Sequence, residues 1–88
     1  MKVTDVRVFP VQEDRLKAYA SIVLDDCFVV RSLRVIRGKR GLFVAMPSRR
    51  TKDGKYRDLA HPVQQEFRER IERVVLEAYS QAPNSEGR

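Results

Sequence analysis

Most of what chemistry requires is scarce in this chain. Its 88 residues contain one cysteine, Cys27, and one histidine, His61. A single cysteine excludes an intrachain disulfide and fits a reducing cytoplasm. Set in "DDCFVV" beside an apolar run, Cys27 is expected to be a small buried residue. Cys27 and His61 stand too isolated in the sequence to make a convincing nucleophilic pair, and an enzyme needs a reactive group, a partner for it and a pocket. The acidic pairs Glu13-Asp14 and Asp25-Asp26 lack the ligand spacing of a calcium loop and read as solvated turns. "GKRG", residues 38–41, has the glycines of a phosphate loop but neither its length nor a following Ser or Thr. No apolar run approaches the ~18 residues that cross a bilayer. The opening "MKVTDVRVFP" alternates polar and apolar residues and lacks the apolar stretch of a secretory signal. The expectation is a non-enzymatic, cytoplasmic protein with no cofactor, no metal, no small-molecule substrate and no membrane partner.

Positive charge is abundant. Eighteen Lys and Arg face twelve Asp and Glu, for a formal net charge of +6 and a pI near 10.0. Such a balance points to polyanionic partners: nucleic acid, an anionic surface or an acidic protein. The excess is uneven: counted from the sequence, residues 1–48 carry nine basic and five acidic residues (+4), 49–62 five and two (+3), and 63–88 four and five (−1). The highest density lies in "MPSRRTKDGKYRDLAHP", residues 46–62. Arg31, Arg34 and the "RGKRG" loop could extend it into a continuous basic surface.

The hydrophobic pattern predicts α+β: an antiparallel sheet meander with a C-terminal amphipathic helix packed on it. Val6 and Val8 alternate with Asp5 and Arg7 in a first strand whose register Val3 and Phe9 disturb. In "LKAYASIVL", residues 16–24, Leu16, Ala18, Ala20, Ile22 and Leu24 share one face, and the alanines predict close packing against something bulky. "CFVVRSLRVIR", residues 27–37, reads as a strand with an irregularity at "RSL". "LFVAM", residues 42–46, returns as its hairpin partner. Asp53-Gly54 is the favoured pair for a two-residue type I′ turn, so 48–51 and 56–60 are predicted to form a second hairpin that continues the sheet. From Val63, apolar residues at steps of three and four mark one helical face through Phe67, Ile71, Val74, Val75, Ala78 and Tyr79, with Pro62 in the first turn and an end near Ala82-Pro83. Residues 1–82 are expected to be one domain and 83–88 a disordered tail. The unpaired sheet edges leave room for a second subunit.

Nucleic-acid binding suits this distribution. Lys and Arg neutralise phosphates and release counterions, arginine can read guanine edges, and Tyr56 could stack on an unpaired base. The plainer reading is a solvated hairpin with Tyr56 packed on the helix and His61 merely preceding it. An adaptor for an acidic protein is the alternative function.

The residues also resemble a known family. "MKVTDVRVFPV", "LKAYASIVLDDCFVV", "VIRG", "GLFVAMPSRRT" and "DGKYRDLAHP", followed by the helix, are similar to the stage V sporulation protein G (SpoVG) family from Met1 to about Tyr79. The resemblance implies a small bacterial, cytoplasmic, homodimeric regulator tied to septation and sporulation, without enzyme activity or cofactor, that binds DNA at specific sites and often RNA. Carried over to the matching positions, it implies nucleic-acid contacts at Arg49, Arg50, Thr51, Lys52, Lys55 and Arg57, with His61 beside them. Two departures from the family pattern add charge: the more basic "RGKRG" loop, and Lys52 where proline is frequent.

Overall fold

Strict alternation in the second strand determines how the molecule is layered. In the computed structural model, which describes residues 1–82, β2 spans Leu16–Leu24, and Ala18, Ala20, Ile22 and Leu24 are all buried on one face. It lies between β1 (Val3–Pro10) and β3 (Phe28–Gly38), and β4 (Gly41–Ala45) completes an antiparallel sheet of order β1-β2-β3-β4. The single helix, α1 (Gln65–Gln81), lays Ile71 and Val75 against this face. Both are essentially excluded from water, each worth roughly 1.5–3 kcal/mol. Leu33, Val35, Val44 and Met46 complete the core. The antiparallel meander with a C-terminal helix is the α+β arrangement expected from the sequence. The predicted tail, 83–88, lies outside the described residues.

Two of the irregularities fall close to where the pattern breaks, and a third, between Leu16 and Ala18, falls where the alternation predicted none. The β1–β2 register shifts between Val3 and Asp5. In β3 the ladder to β2 shifts around Arg31 and Ser32, and Ser32 has φ 68°. This left-handed residue in mid-strand is the bulge foreseen at "RSL".

Some expectations need correction. Cys27 is exposed, not buried. Asp25 (φ 51°) and Asp26 (φ 56°) are both left-handed, and the Cys27 N–H donates to Leu24 O at 3.0 Å. Two left-handed residues are the mark of a type I′ turn, but Leu24 pairs with Phe28, so Cys27 is a third, extra residue of the connection and leaves the ladder. Asp25 also anchors the chain start: its Oδ1 accepts the Lys2 N–H at 2.8 Å, and its own N–H donates to Lys2 O at 2.9 Å. The helix begins later than predicted. Pro62 precedes it by three residues instead of sitting in its first turn, and Val63, expected on the apolar face, is 95% exposed.

The basic segment forms a hairpin, β5 (Ser48–Arg50) with β6 (Tyr56–Asp58), but it does not continue the main sheet. The ladder of β4 stops at Ala45, where Met46 and Pro47 turn into the core. Pro47 has no N–H to extend the ladder.

The two-aspartate turn gives a test. Asp26→Val should cost about 1–2 kcal/mol, because a β-branched residue is strained at positive φ. Asp26→Gly should stay within about 0.5 kcal/mol of the parent. Urea unfolding of the two variants checks this, and equal midpoints would contradict the left-handed turn.

Candidate nucleic-acid interface

The hairpin's shape follows from its five-residue connection. Ser48 pairs with Asp58, Arg49 with Arg57 and Arg50 with Tyr56. Beyond them, the Thr51 N–H donates to Lys55 O at 2.7 Å, and the Gly54 N–H donates to Thr51 O at 3.0 Å. Gly54 has φ 84°, whereas Asp53 does not enter the left-handed region. The connection is therefore a three-residue loop, 52–54, with glycine at the left-handed position, and not the two-residue type I′ turn predicted for Asp53-Gly54. The Asp53 side chain accounts for the difference. Its carboxylate accepts the Thr51 hydroxyl and, at 3.2 Å, the Lys55 N–H, bracing the wider loop from within. These two hydrogen bonds, the Thr51 hydroxyl first, hold the Asp53 carboxyl below its ordinary range.

The base of the arm is tied down by a residue from the main sheet. Arg34 of β3 is half-buried and donates from Nη2 to Ser48 Oγ at 2.8 Å and to Met46 O at 3.4 Å. The Leu59 N–H closes the other strand onto Pro47 O at 2.7 Å. Between these anchors, every residue from 49 to 61 except Thr51 is exposed. Tyr56 is 66% exposed and is not packed on the helix.

Arg49 and Arg57 are direct cross-strand partners, so like charges face each other across the ladder. Such a juxtaposition is unfavourable. Among the described residues the ion pairs are Arg7–Asp5 and Arg37–Asp14, so the five hairpin cations have no carboxylate partner. Asp53 is committed to its own loop.

The predicted contacts thus fall into two groups. Arg49, Arg50, Lys52, Lys55 and Arg57 come together on one projecting arm, where Thr51 serves the loop's internal bonding. His61 lies beyond it, in the segment leading to the helix, with Nδ1 3.1 Å from Pro62 O. Arg34 is a positioning residue that no sequence signal marks, because nothing in the sequence places its side chain beside Ser48. The "RGKRG" loop is at the opposite end of β4, about 17 Å away along five residues, so β4 separates two basic regions.

His61 and Cys27 both line an apolar cleft of about 660 Å³, whose walls include Leu24, Phe28, Met46 and Phe67. No hydrogen bond joins Cys27 to His61. No group of three His, Cys, Asp or Glu that could hold a metal occurs among the described residues. No described helix is long and apolar enough to cross a membrane.

Thr51→Val should return the Asp53 carboxyl towards its ordinary range, as read by a carbon-detected NMR titration. A group held low stabilises the fold above its unfolded-state pKa and loses that contribution as pH falls through its folded value. The substitution should therefore remove an acid-side weakening of the hairpin; an unmoved Asp53 titration would contradict the bracing role.

Comparison with known proteins gives the family. The SpoVG family model matches residues 1–81. The chain is 63% identical over 87 residues to the "Putative septation protein SpoVG" of Bdellovibrio bacteriovorus, covering 99% of this chain and 81% of that protein. It is 61% identical over 79 residues to the protein of the same name from Anaeromyxobacter sp. strain Fw109-5, covering 90% and 81%. To that from Staphylococcus carnosus it is 56% identical over 82 residues, covering 92% and 77%. With the family model and these relatives matched along nearly its whole length, the chain belongs to the SpoVG family.

Proposed function

We propose that this protein is a homodimeric, cytoplasmic regulator that binds DNA, and RNA as well, through the arm formed by β5 and β6. The observation that carries this reading is the cross-strand pair Arg49–Arg57, held face to face and, among the described residues, without an ion-pair partner. A solvated hairpin selected only for stability would place opposite charges there. Phosphates at both guanidinium groups relieve the repulsion, and the counterions they release make binding salt-dependent.

The rest of the arm fits that role. Lys52 and Lys55 flank the tip, and Tyr56, exposed opposite Arg50, offers a ring to an unpaired base. The tie from Arg34 to Ser48 gives the arginines a fixed origin, which base reading requires. Self-association is supported by the small size of the chain and by the open apolar cleft, with Phe28 and Val63 exposed along it. The relatives' name connects the family with septation, which is the process such a regulator would serve here.

Arg49→Ala combined with Arg50→Ala should weaken DNA and RNA binding and flatten the log–log salt slope on duplex DNA by about 2. The melting temperature should not fall below the parent's, because the repulsion on Arg57 is relieved, and the sedimentation coefficient should stay at the parent's value. Unchanged affinity would overturn the site, and saturable binding of an acidic protein with only salt-labile DNA retention would favour an adaptor. Arg57→Glu separates folding from binding. Opposite charges would then face each other, so stability should rise by about 0.2–1 kcal/mol while nucleic-acid affinity falls. A loss of stability would refute the like-charge argument.

A further inference from the structure

The helix covers one face of the four-stranded sheet and leaves the other open. On the open face Phe9 of β1 is 55% exposed, Tyr19 of β2 43% and Phe43 of β4 41%. Phe9 and Tyr19 are direct cross-strand partners. Phe43 rests beside Gly38, where an added Cβ would lie 3.0 Å from its ring. Arg34 follows Tyr19 across the ladder and reaches on to Ser48 at the base of the basic arm. Arg7 lies on the same face, paired with Asp5 at 3.3 Å.

From this placement we infer that the open sheet face is a second binding surface, for single-stranded nucleic acid, with Phe9, Tyr19 and Phe43 as stacking rings. Charge and shape decide the occupant. With Arg7 and Asp5 balancing each other, Arg34 leaves the face net positive and joins it to the most basic part of the chain, which suits a polyanion. Solvent-facing rings set among cations match unpaired bases, whose π-faces every sequence presents. A duplex hides those faces in its own stack and would use only the cations. Four strands at ~4.8 Å spacing make a face about 14 Å wide, room for a short run of nucleotides. The inference rests on the nucleic-acid reading above but uses different residues, so the two can fail separately.

The chain contains no tryptophan, so Phe43→Trp introduces a unique reporter. Its fluorescence should be quenched saturably by a 12-nucleotide oligo(dT) or oligo(U), and much less by a duplex of the same length at the same salt. Phe9→Leu with Tyr19→Leu keeps the apolar character and the charge but removes the rings. It should lower single-strand affinity at least about tenfold, by fluorescence anisotropy, with duplex affinity unchanged within about twofold. Tyr19→Leu alone, with circular dichroism, serves if the double variant does not fold. Unaltered single-strand affinity overturns the inference. So does a loss of self-association at unaltered affinity, which would assign the face to a second copy of the chain. If Arg49→Ala with Arg50→Ala abolishes binding while the leucine variants bind single strands normally, the platform is refuted and the arm stands. The reverse pattern supports the platform and refutes the arm, and absence of any nucleic-acid binding defeats both.

Discussion

Two alanines let one helix serve the whole sheet. Ala18 and Ala20 are buried at the centre of β2 in one core with Ile71 and Val75, and their small side chains leave room for a helix that closes on β1, β3 and β4. With larger residues there, α1 would stand off and the core would lose its density. Because a single helix spans the sheet, only one face is closed. The open face, the cleft beside the helix start and the freedom of the β5–β6 arm all follow from that economy of elements.

The arm depends on the core in a more local way. The β4 ladder ends at Ala45, and Pro47, buried two residues on, has no N–H to resume it. The chain leaves the sheet there, and Arg34 catches it again through Ser48. The arm is thus fixed at its root, while its exposed length packs mainly on itself. Fixed roots and solvated tips are what a surface needs if it is to hold charges in register against a long polyanion.

Periodicity made the main sheet and helix legible in the sequence. The alternation of Ala18 to Leu24 defined both faces of β2, "RSL" marked the bulge in β3, and the register shift that sets Leu16 apart from Ala18 left no mark in the pattern. Turns were less legible, because their conformation depends on competing side-chain bonds. Asp53-Gly54 has the composition of a two-residue turn, but the Asp53 carboxylate found Thr51 and Lys55 and held a wider loop open. The left-handed pair fell at Asp25-Asp26, where bonds to Lys2 hold the chain start and carry Cys27 out into solvent. In the arm, the sequence pointed to the basic residues but not to their geometry. That Arg49 faces Arg57 required the register, and that Arg34 ties down Ser48 required the tertiary fold.

The facing arginines have one further consequence. Two like charges held at cross-strand distance do not respond independently to substitution. Removing either one relieves the other of its repulsion and leaves a better-solvated, less strained partner. A single change at Arg49 or Arg57 will then understate what the pair does together, because it removes one charge and the repulsion on the other at once. The quantity that describes the arm is the coupling between the two positions, and a one-residue scan of this surface would pass over it.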